Sequence, residues 1–572
     1  MDKVVEQLQK EAEDVRLFLI KTIKKTGGHI ASNLGVVELT LALHHCFNSP
    51  DDKFVFDVGH QSYVHKMLTG RRDLFKKLRQ KDGISGFPKR SESEHDIFDT
   101  GHSSTSISAA LGFAIAMQKE KSKNKAIAVI GDGSLTGGQA FEALNHAGHI
   151  GAKNLIVVLN DNQYSISENV GAFTRYLTKL RTRKSYYALK DTINSNLSKT
   201  KAGKKIADFL YSFKQGLRML VLKTTYFETM GFKYIGPIDG HNLKDLIYVF
   251  NRCKDINSPV LVHVVTKKGK GYKPAEDDPS LFHGIGKGGS HDEGISSSEA
   301  VGDKLLELAK KDEKVIAMTA AMCEGTGLKK YAKELPQQYM DVGICEQHAV
   351  TLAGSLSLAG QKPFCIIYSS FMQRAYDQLL HDIALQNIPA VFLLDRAGVV
   401  GEDGETHHGL FDLSYLQTLP NFEIIAPSSI CELQEAIKYA YENNTHPIAI
   451  RYPKKLPQGE SGTFEFGKIR LVKKSKSNKV IIAVGDMLED VKNAKATILS
   501  LTTVSPLDIE TIKKYVDSEI IIYENNVIAG GIGEKIKAML PNANITLKGY
   551  DKDNIPKQAT TKEQKQEIIE ES

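Results

Sequence analysis

Two apolar runs of strand length, each closed by a short polar tip, constrain this chain more than any other feature. Residues 126–130 (Ala-Ile-Ala-Val-Ile) run into Gly131-Asp132-Gly133, and residues 155–159 (Leu-Ile-Val-Val-Leu) run into Asn160-Asp161-Asn162. Residues 140–149 between them carry helical spacing, so the segment reads as a βαβ unit. Both tips then emerge at the carboxyl edge of a parallel sheet, where open α/β sheets bind ligands. The aspartate and asparagine offer only oxygen there. Such donors suit Mg²⁺ shared with phosphate oxygens, rather than zinc or copper. Gly131 and Gly133 allow close backbone approach of a diphosphate. Asp132 and Asn162 are the candidate metal ligands, with the Tyr164 carbonyl as a third. A pair of Asx turns without metal is the plainer alternative.

At 572 residues the chain is too long for one core, and three to four domains are expected. The net charge of +6 is small for this length and no arginine-rich arm is present, so a nucleic-acid groove is not expected. The six cysteines (Cys46, Cys253, Cys323, Cys345, Cys365 and Cys431) form no CxxC pair, which fits a reducing cytosol. The first residues read as a charged amphipathic helix without a signal-peptide core, and no apolar run reaches membrane-span length. The expectation is a soluble, cytoplasmic protein.

Alternating strand and helix patterns place the chain in the α/β class. A first domain is expected over 1–290, with strands at 54–57, 126–130, 155–159 and 260–265. A basic helical insert at 172–225 reads as a solvated excursion or as a lid. A polar, glycine-rich stretch over 277–298 reads as a linker crossing the surface. A second domain over 297–455 has strands at 315–318, 364–367 and 390–394 and helices at 347–360 and 375–386. After Pro453, Pro457 and Gly459, a third domain over 465–572 repeats the alternation at 480–484, 498–504 and 520–523.

Three histidines sit in glycine-flanked turns: His29 after Gly27-Gly28, His60 after Gly59 and His102 after Gly101. Loops held by a scaffold are where sites are built, and imidazole suits proton transfer near neutral pH. A structural role competes for each one singly, and nothing in the spacing shows them converging on zinc. Glu346 precedes a small-residue helix, where a favourable N-terminal charge is the plainer reading. Tyr368, Arg374, Arg396, Asp403 and His407 gather near strand ends or in the polar run 398–408. Arginines at a strand edge suit a phosphate dianion, with surface charge as the alternative. Cys345 has no visible base to make it a nucleophile. No GxGxxG opens a helix after a strand, so a nicotinamide site is not indicated.

These strings resemble the 1-deoxy-D-xylulose-5-phosphate synthase family. Carrying the resemblance are Gly28-His29-Ile30-Ala31-Ser32-Asn33-Leu34-Gly35, Asp57-Val58-Gly59-His60-Gln61, the 101–106 run and Ser165-Ile166-Ser167. Further along come Glu346-Gln347-His348, Gln373-Arg374-Ala375-Tyr376-Asp377-Gln378 and Arg451-Tyr452-Pro453. They span nearly the whole chain in the family's order. The resemblance implies a three-domain transketolase-like architecture: two thiamine diphosphate-binding α/β domains and a smaller C-terminal α/β domain. It implies condensation of pyruvate with D-glyceraldehyde 3-phosphate, with loss of CO₂, in isoprenoid, thiamine and pyridoxal synthesis. It also implies thiamine diphosphate and Mg²⁺ as cofactors and a homodimer.

By resemblance, the cofactor contacts are His60, Gly101, His102, Ser103, Asp132, Gly133, Ser134, Asn162, Tyr272 and Glu346. Glu346 matches the glutamate that hydrogen-bonds the aminopyrimidine ring. His29, His60, His283 and His407 match active-site histidines, with His407 and then His29 expected to move protons. Tyr368, Arg374, Arg396, Asp403, His407, Arg451 and Lys454 correspond to the substrate end, together with His29. Lys454 stands where the family usually has a second arginine, keeping the charge but losing the guanidinium fork. The chain is also some tens of residues shorter than common members. Transketolase, with a ketose phosphate donor instead of pyruvate, is the alternative activity.

Overall fold

The computed structural model describes residues 2–164, 170–181, 225–289 and 296–569. Most of the expected basic insert, and the Ser165-Ile166-Ser167 string, lie outside the described residues. The chain forms two compact units, residues 1–78 with 86–290, and residues 79–85 with 291–572.

The first unit holds a five-stranded, all-parallel sheet of β1 (Lys53–Phe56), β2 (Ala126–Gly131), β3 (Leu155–Asp161), β4 (Lys233–Asp239) and β5 (Val260–Val265), in the order β1-β2-β3-β5-β4. Every residue of β3 and all but the last of β2 are buried. That burial is why both read as continuous apolar runs. β4 was not expected from the sequence. Gly236-Pro237 interrupts it and the ladder slips between Ile235 and Ile238. An edge strand tolerates a proline that a central one would not, and β4 is at the edge. The opening helix Asp2–Thr26 buries Ala12, Val15, Leu19 and Ile23, the single stripe of an amphipathic helix.

The 277–298 stretch is not a free surface crossing over its described part. Gly28 and Ile285 exchange both backbone hydrogen bonds, at 2.9 and 3.0 Å, and the Ala31 N–H donates to the Phe282 carbonyl at 3.1 Å. Its low hydrophobic content reflects backbone pairing, which no side-chain pattern announces.

The second unit contains β6 (Val315–Thr319), β7 (Tyr339–Asp341), β8 (Lys362–Tyr368), β9 (Val391–Asp395), β10 (Glu423–Ile425) and β11 (Ile448–Tyr452). It continues with β12 (Arg470–Lys473), β13 (Lys479–Val484), β14 (Thr497–Leu501), β15 (Thr503–Ser505), β16 (Glu519–Val527) and β17 (Asn544–Tyr550). The expected strand at 498–504 is really two. β14 lies between β12 and β13 in the sheet β12-β14-β13-β16-β17, whereas β15 pairs antiparallel with β10 at the edge of β15-β10-β11-β9-β8-β6-β7. The chain changes sheets at Thr502, whose carbonyl accepts the Ala426 N–H at 2.7 Å. One apolar core accordingly contains Leu413, Ile424 and Ala426 together with Ile482, Leu499 and Val504. The expected helix over 375–386 is a tight turn at Gln373–Ala375 followed by wide π-type turns over Gln378–Ala384. Among the described residues no helix is long and apolar enough to cross a membrane.

Candidate active site

In the first unit, the parallel register places Gly131 opposite Asn160, so the tips after β2 and β3 share the carboxyl edge. The Asp132 N–H donates to the Asn160 carbonyl at 3.2 Å, and the Gln163 N–H donates to Asp132 Oδ2 at 3.0 Å. Asn162 Oδ1 accepts the Tyr164 N–H at 3.0 Å. Below these tips the Asp161 carboxylate meets His263 Nε2 at 2.9 Å and the Arg181 guanidinium, while His263 Nδ1 reaches Tyr234 Oη at 2.8 Å. Burial opposes charge on Asp161, but His263 and Arg181 hold its carboxyl below the usual range. Ion pairing thus ties down the strand end that carries Asn162.

Among the described residues no group of three or more His, Cys, Asp or Glu is placed to hold a metal ion. The donors at this edge are instead one carboxylate, one carboxamide and main-chain carbonyls. That set fits Mg²⁺, which completes its shell from ligand phosphates and water. A Cβ added at Gly131 would meet nothing within 4 Å, so the backbone there is open to a ligand.

Beside it three histidines from separate segments converge. His29 lies with ring centroids 5.6 Å from His60 and 5.7 Å from His283, and His60 is 5.1 Å from His283. The invisible part of this arrangement is Asn33. Its Nδ2 donates to the carbonyls of His29 and His60 at 2.6 and 2.7 Å, and its Oδ1 accepts the Tyr63 N–H at 2.8 Å. Tyr63 Oη in turn stands 3.3 Å from His29 Nδ1. Lys268, also not singled out by the sequence, has Nζ 3.2 Å from His283 Nδ1. Burial lowers the Lys268 ammonium to about 8, against the pull of Asp132. Burial, Lys268 and the other two imidazoles push His283 well below its usual value, so it is neutral at pH 7. Lys268 follows a buried strand, the same signal that marked Asp132. His102 and Ser103 are half-buried in their turn. Tyr272 is half-buried too, with the Lys24 ammonium 4.6 Å from its ring centre.

In the second unit Glu346 opens the helix Glu346–Leu358, is 4% exposed, and lies 3.3 Å from Arg374 Nη1. Burial raises its carboxyl despite Arg374, so it holds a proton more readily than a surface glutamate. Arg396, in left-handed backbone at φ 60°, stacks 4.4 Å over the Tyr368 ring and donates to the Gly325 carbonyl at 2.7 Å. Tyr368 stacks on Phe371 at 5.6 Å, and Phe371 meets His407 edge-on at 5.7 Å. Burial keeps His407 below its usual value, with Asp403 opposing. Asp403 accepts from Arg79 at 2.6 Å, and Arg79 belongs to the 79–85 segment that packs with this unit. The sequence had given Arg79 no role, since hundreds of residues separate the pair.

Arg451 is a correction. It is 2% exposed, its Nε pairs with Asp412 Oδ2 at 3.0 Å and its Nη2 donates to the Asn525 carbonyl at 3.0 Å. Its guanidinium is used inside the protein. Lys454 is exposed, and its carbonyl accepts the Ser297 N–H at 3.1 Å.

A parallel-sheet edge with oxygen donors that suit a magnesium diphosphate, in a chain whose second α/β unit starts a helix with a buried glutamate, fits a thiamine diphosphate-dependent transferase, the class its relatives show. The 1-deoxy-D-xylulose-5-phosphate synthase N-terminal family matches residues 2–266, the transketolase pyrimidine-binding domain matches 293–459, and the transketolase C-terminal domain matches 467–552. A 1-deoxy-D-xylulose-5-phosphate synthase of Clostridium kluyveri is 49% identical, with 92% of this chain and 87% of that protein covered. Those of Halothermothrix orenii and Geobacter sulfurreducens are also 49% identical, covering 93% and 95% of this chain and 87% and 88% of theirs. The chain belongs to the 1-deoxy-D-xylulose-5-phosphate synthase family.

Proposed function

We propose that this chain performs the family reaction, the decarboxylative condensation of pyruvate with D-glyceraldehyde 3-phosphate to 1-deoxy-D-xylulose 5-phosphate, through the residues described above. Thiamine diphosphate, when bound, supplies the carbanion and the electron sink for loss of CO₂. Asp132, Asn162 and the Tyr164 carbonyl would ligate Mg²⁺. Gly101, His102, Ser103, Gly133, Ser134, His60 and Tyr272 would grip the diphosphate. Glu346 would hold a proton toward the aminopyrimidine nitrogen, a task its raised carboxyl suits. His29, His60 and His283 would accept and return protons, His283 as a neutral imidazole. Tyr368, Arg374, Arg396, Asp403 and His407 would orient the phosphorylated aldehyde, with Lys454 as an exposed outer charge.

The observation that carries this reading is the 3.0 Å bond from Gln163 N–H to Asp132 Oδ2, which holds both loop tips at one sheet edge in a chain of this family. The test is CO₂ release by purified protein with thiamine diphosphate, Mg²⁺ and pyruvate. Release that depends on glyceraldehyde phosphate and yields the deoxyketose phosphate supports it. Use of a ketose phosphate donor in place of pyruvate would refute it. A cytoplasmic homodimer is the proposed working form. Six free thiols fit a reducing compartment, and sedimentation equilibrium at the mass of one chain would overturn the dimer.

A further inference from the structure

We infer that Asp57 is the positioning residue that shapes the Gly101-His102-Ser103 turn, and through it the affinity for the diphosphate; this rests on the function proposed above. Asp57 follows β1, is 1% exposed and keeps register through its N–H to the Val129 carbonyl at 2.8 Å. It is too deeply buried to touch a ligand, yet it holds two ligand-facing loops directly and a third through Ser104. Its Oδ1 accepts the Ser104 N–H at 2.8 Å and its Oδ2 accepts the Ser106 N–H at 3.0 Å. Its main-chain carbonyl accepts the Gly59 N–H at 2.6 Å and Gln61 Nε2 at 3.0 Å, bracketing His60. Ser104 Oγ then donates to the Ser134 carbonyl at 2.8 Å, linking the turn to the loop after β2.

The chemistry calls for a carboxylate. Two backbone donors point at two oxygens of one side chain, and only an acceptor-only group satisfies both. Ser106 also begins the helix Ser106–Lys119, where a negative charge is favoured. Ser104 sits at φ 72°, a left-handed conformation that a non-glycine residue keeps only when its surroundings impose it. The bond from Asp57 imposes it. An asparagine of the same shape would turn an amide N–H toward one of the two donors and release the turn.

The experiment is calorimetric titration of the full chain with thiamine diphosphate at saturating Mg²⁺, for wild type, Asp57→Asn, and Asp57→Asn combined with Ser104→Gly. Asp57→Asn should raise the apparent Kd about 10- to 100-fold, the effect of losing an acceptor and burying an N–H against another N–H. The loss should read more strongly in cofactor affinity than in kcat at saturating cofactor, the split expected of a group that acts through a binding turn. Glycine at 104 removes the left-handed cost, though it also removes the Oγ bond to Ser134, so the double variant should regain about twofold or more of the lost affinity. A purely structural role predicts no such rescue. Wild-type affinity in Asp57→Asn, or a double variant no better than the single one, overturns the inference. If Asp57→Asn does not fold, Asp57→Glu carries the test, with binding expected to weaken about 3- to 10-fold because its longer carboxylate displaces the two N–H groups it serves. An unchanged Kd there would overturn it as well. Wild type lacking Mg²⁺-dependent uptake would instead overturn the functional reading beneath it.

Discussion

Replacing Asn33 with alanine should loosen the histidine cluster without touching any imidazole. Asn33 is fully buried, and its side chain makes three hydrogen bonds, to the His29 and His60 carbonyls and from the Tyr63 N–H. Alanine would strand one buried donor and two acceptors, each costing about 1–3 kcal/mol. With partial relaxation, the first unit should lose about 3–5 kcal/mol. The two carbonyls hold the turns whose rings lie 5.6 Å apart, so their release shifts the proton-transfer groups. A displacement near 1 Å is worth about 100-fold in rate, so kcat should fall about 10- to 100-fold. Asn33→Asp should be no better, because it keeps the acceptor for Tyr63 but sets a carboxylate oxygen against two carbonyl oxygens. Urea unfolding gives the stability change, and CO₂ release from pyruvate with the aldehyde gives kcat. An Asn33→Ala protein within about 0.5 kcal/mol of wild type and with full turnover would refute the reasoning.

Arg451→Met should destabilise the second unit by about 3–5 kcal/mol, since it leaves the buried Asp412 charge uncompensated. The KM for glyceraldehyde phosphate in the surviving folded fraction should stay unchanged, and a tenfold rise without loss of stability would restore a substrate role. Burial pushes the Glu524 carboxyl up to about 8, although the N–H groups of Ile532 and Gly533 oppose this. The folded state therefore binds the extra proton, so stability is greatest below the unfolded value and falls as pH rises through about 8. The slope approaches about 1.4 kcal/mol per pH unit, and denaturation of Glu524→Gln across that window should show it flattened. Glu346→Gln should cut kcat at least about 100-fold while changing thiamine diphosphate affinity little, which turnover and calorimetry together would show. Chelating Mg²⁺, or Asp132→Asn, should weaken cofactor binding by at least about tenfold, and a metal-independent Kd would sink the assigned ligand set.

The parts legible in the sequence were those encoded by neighbours along the chain. β2 and β3 stood out because both faces are covered and every residue before the polar tips is apolar. β4 did not, because Gly236-Pro237 resembles a breaker and only its edge position makes it tolerable. The division between β14 and β15 was equally hidden, since one apolar run serves two sheets and the switch at Thr502 is decided by which strand edge is open.

By itself, then, the sequence determined the α/β alternation and the location of the polar loop tips, because strand period and glycine punctuation are local properties. It also supplied the inventory of histidines, carboxylates and arginines. Only the tertiary structure decided how those charges are used. Arg451 is consumed by Asp412, Arg79 reaches Asp403, and Asn33 and Asp57 act through backbone groups from distant loops. The physical reason is that a buried polar side chain takes its role from whichever donors and acceptors packing brings within about 3 Å. Those partners lie up to hundreds of residues away along the chain, where no local pattern records them.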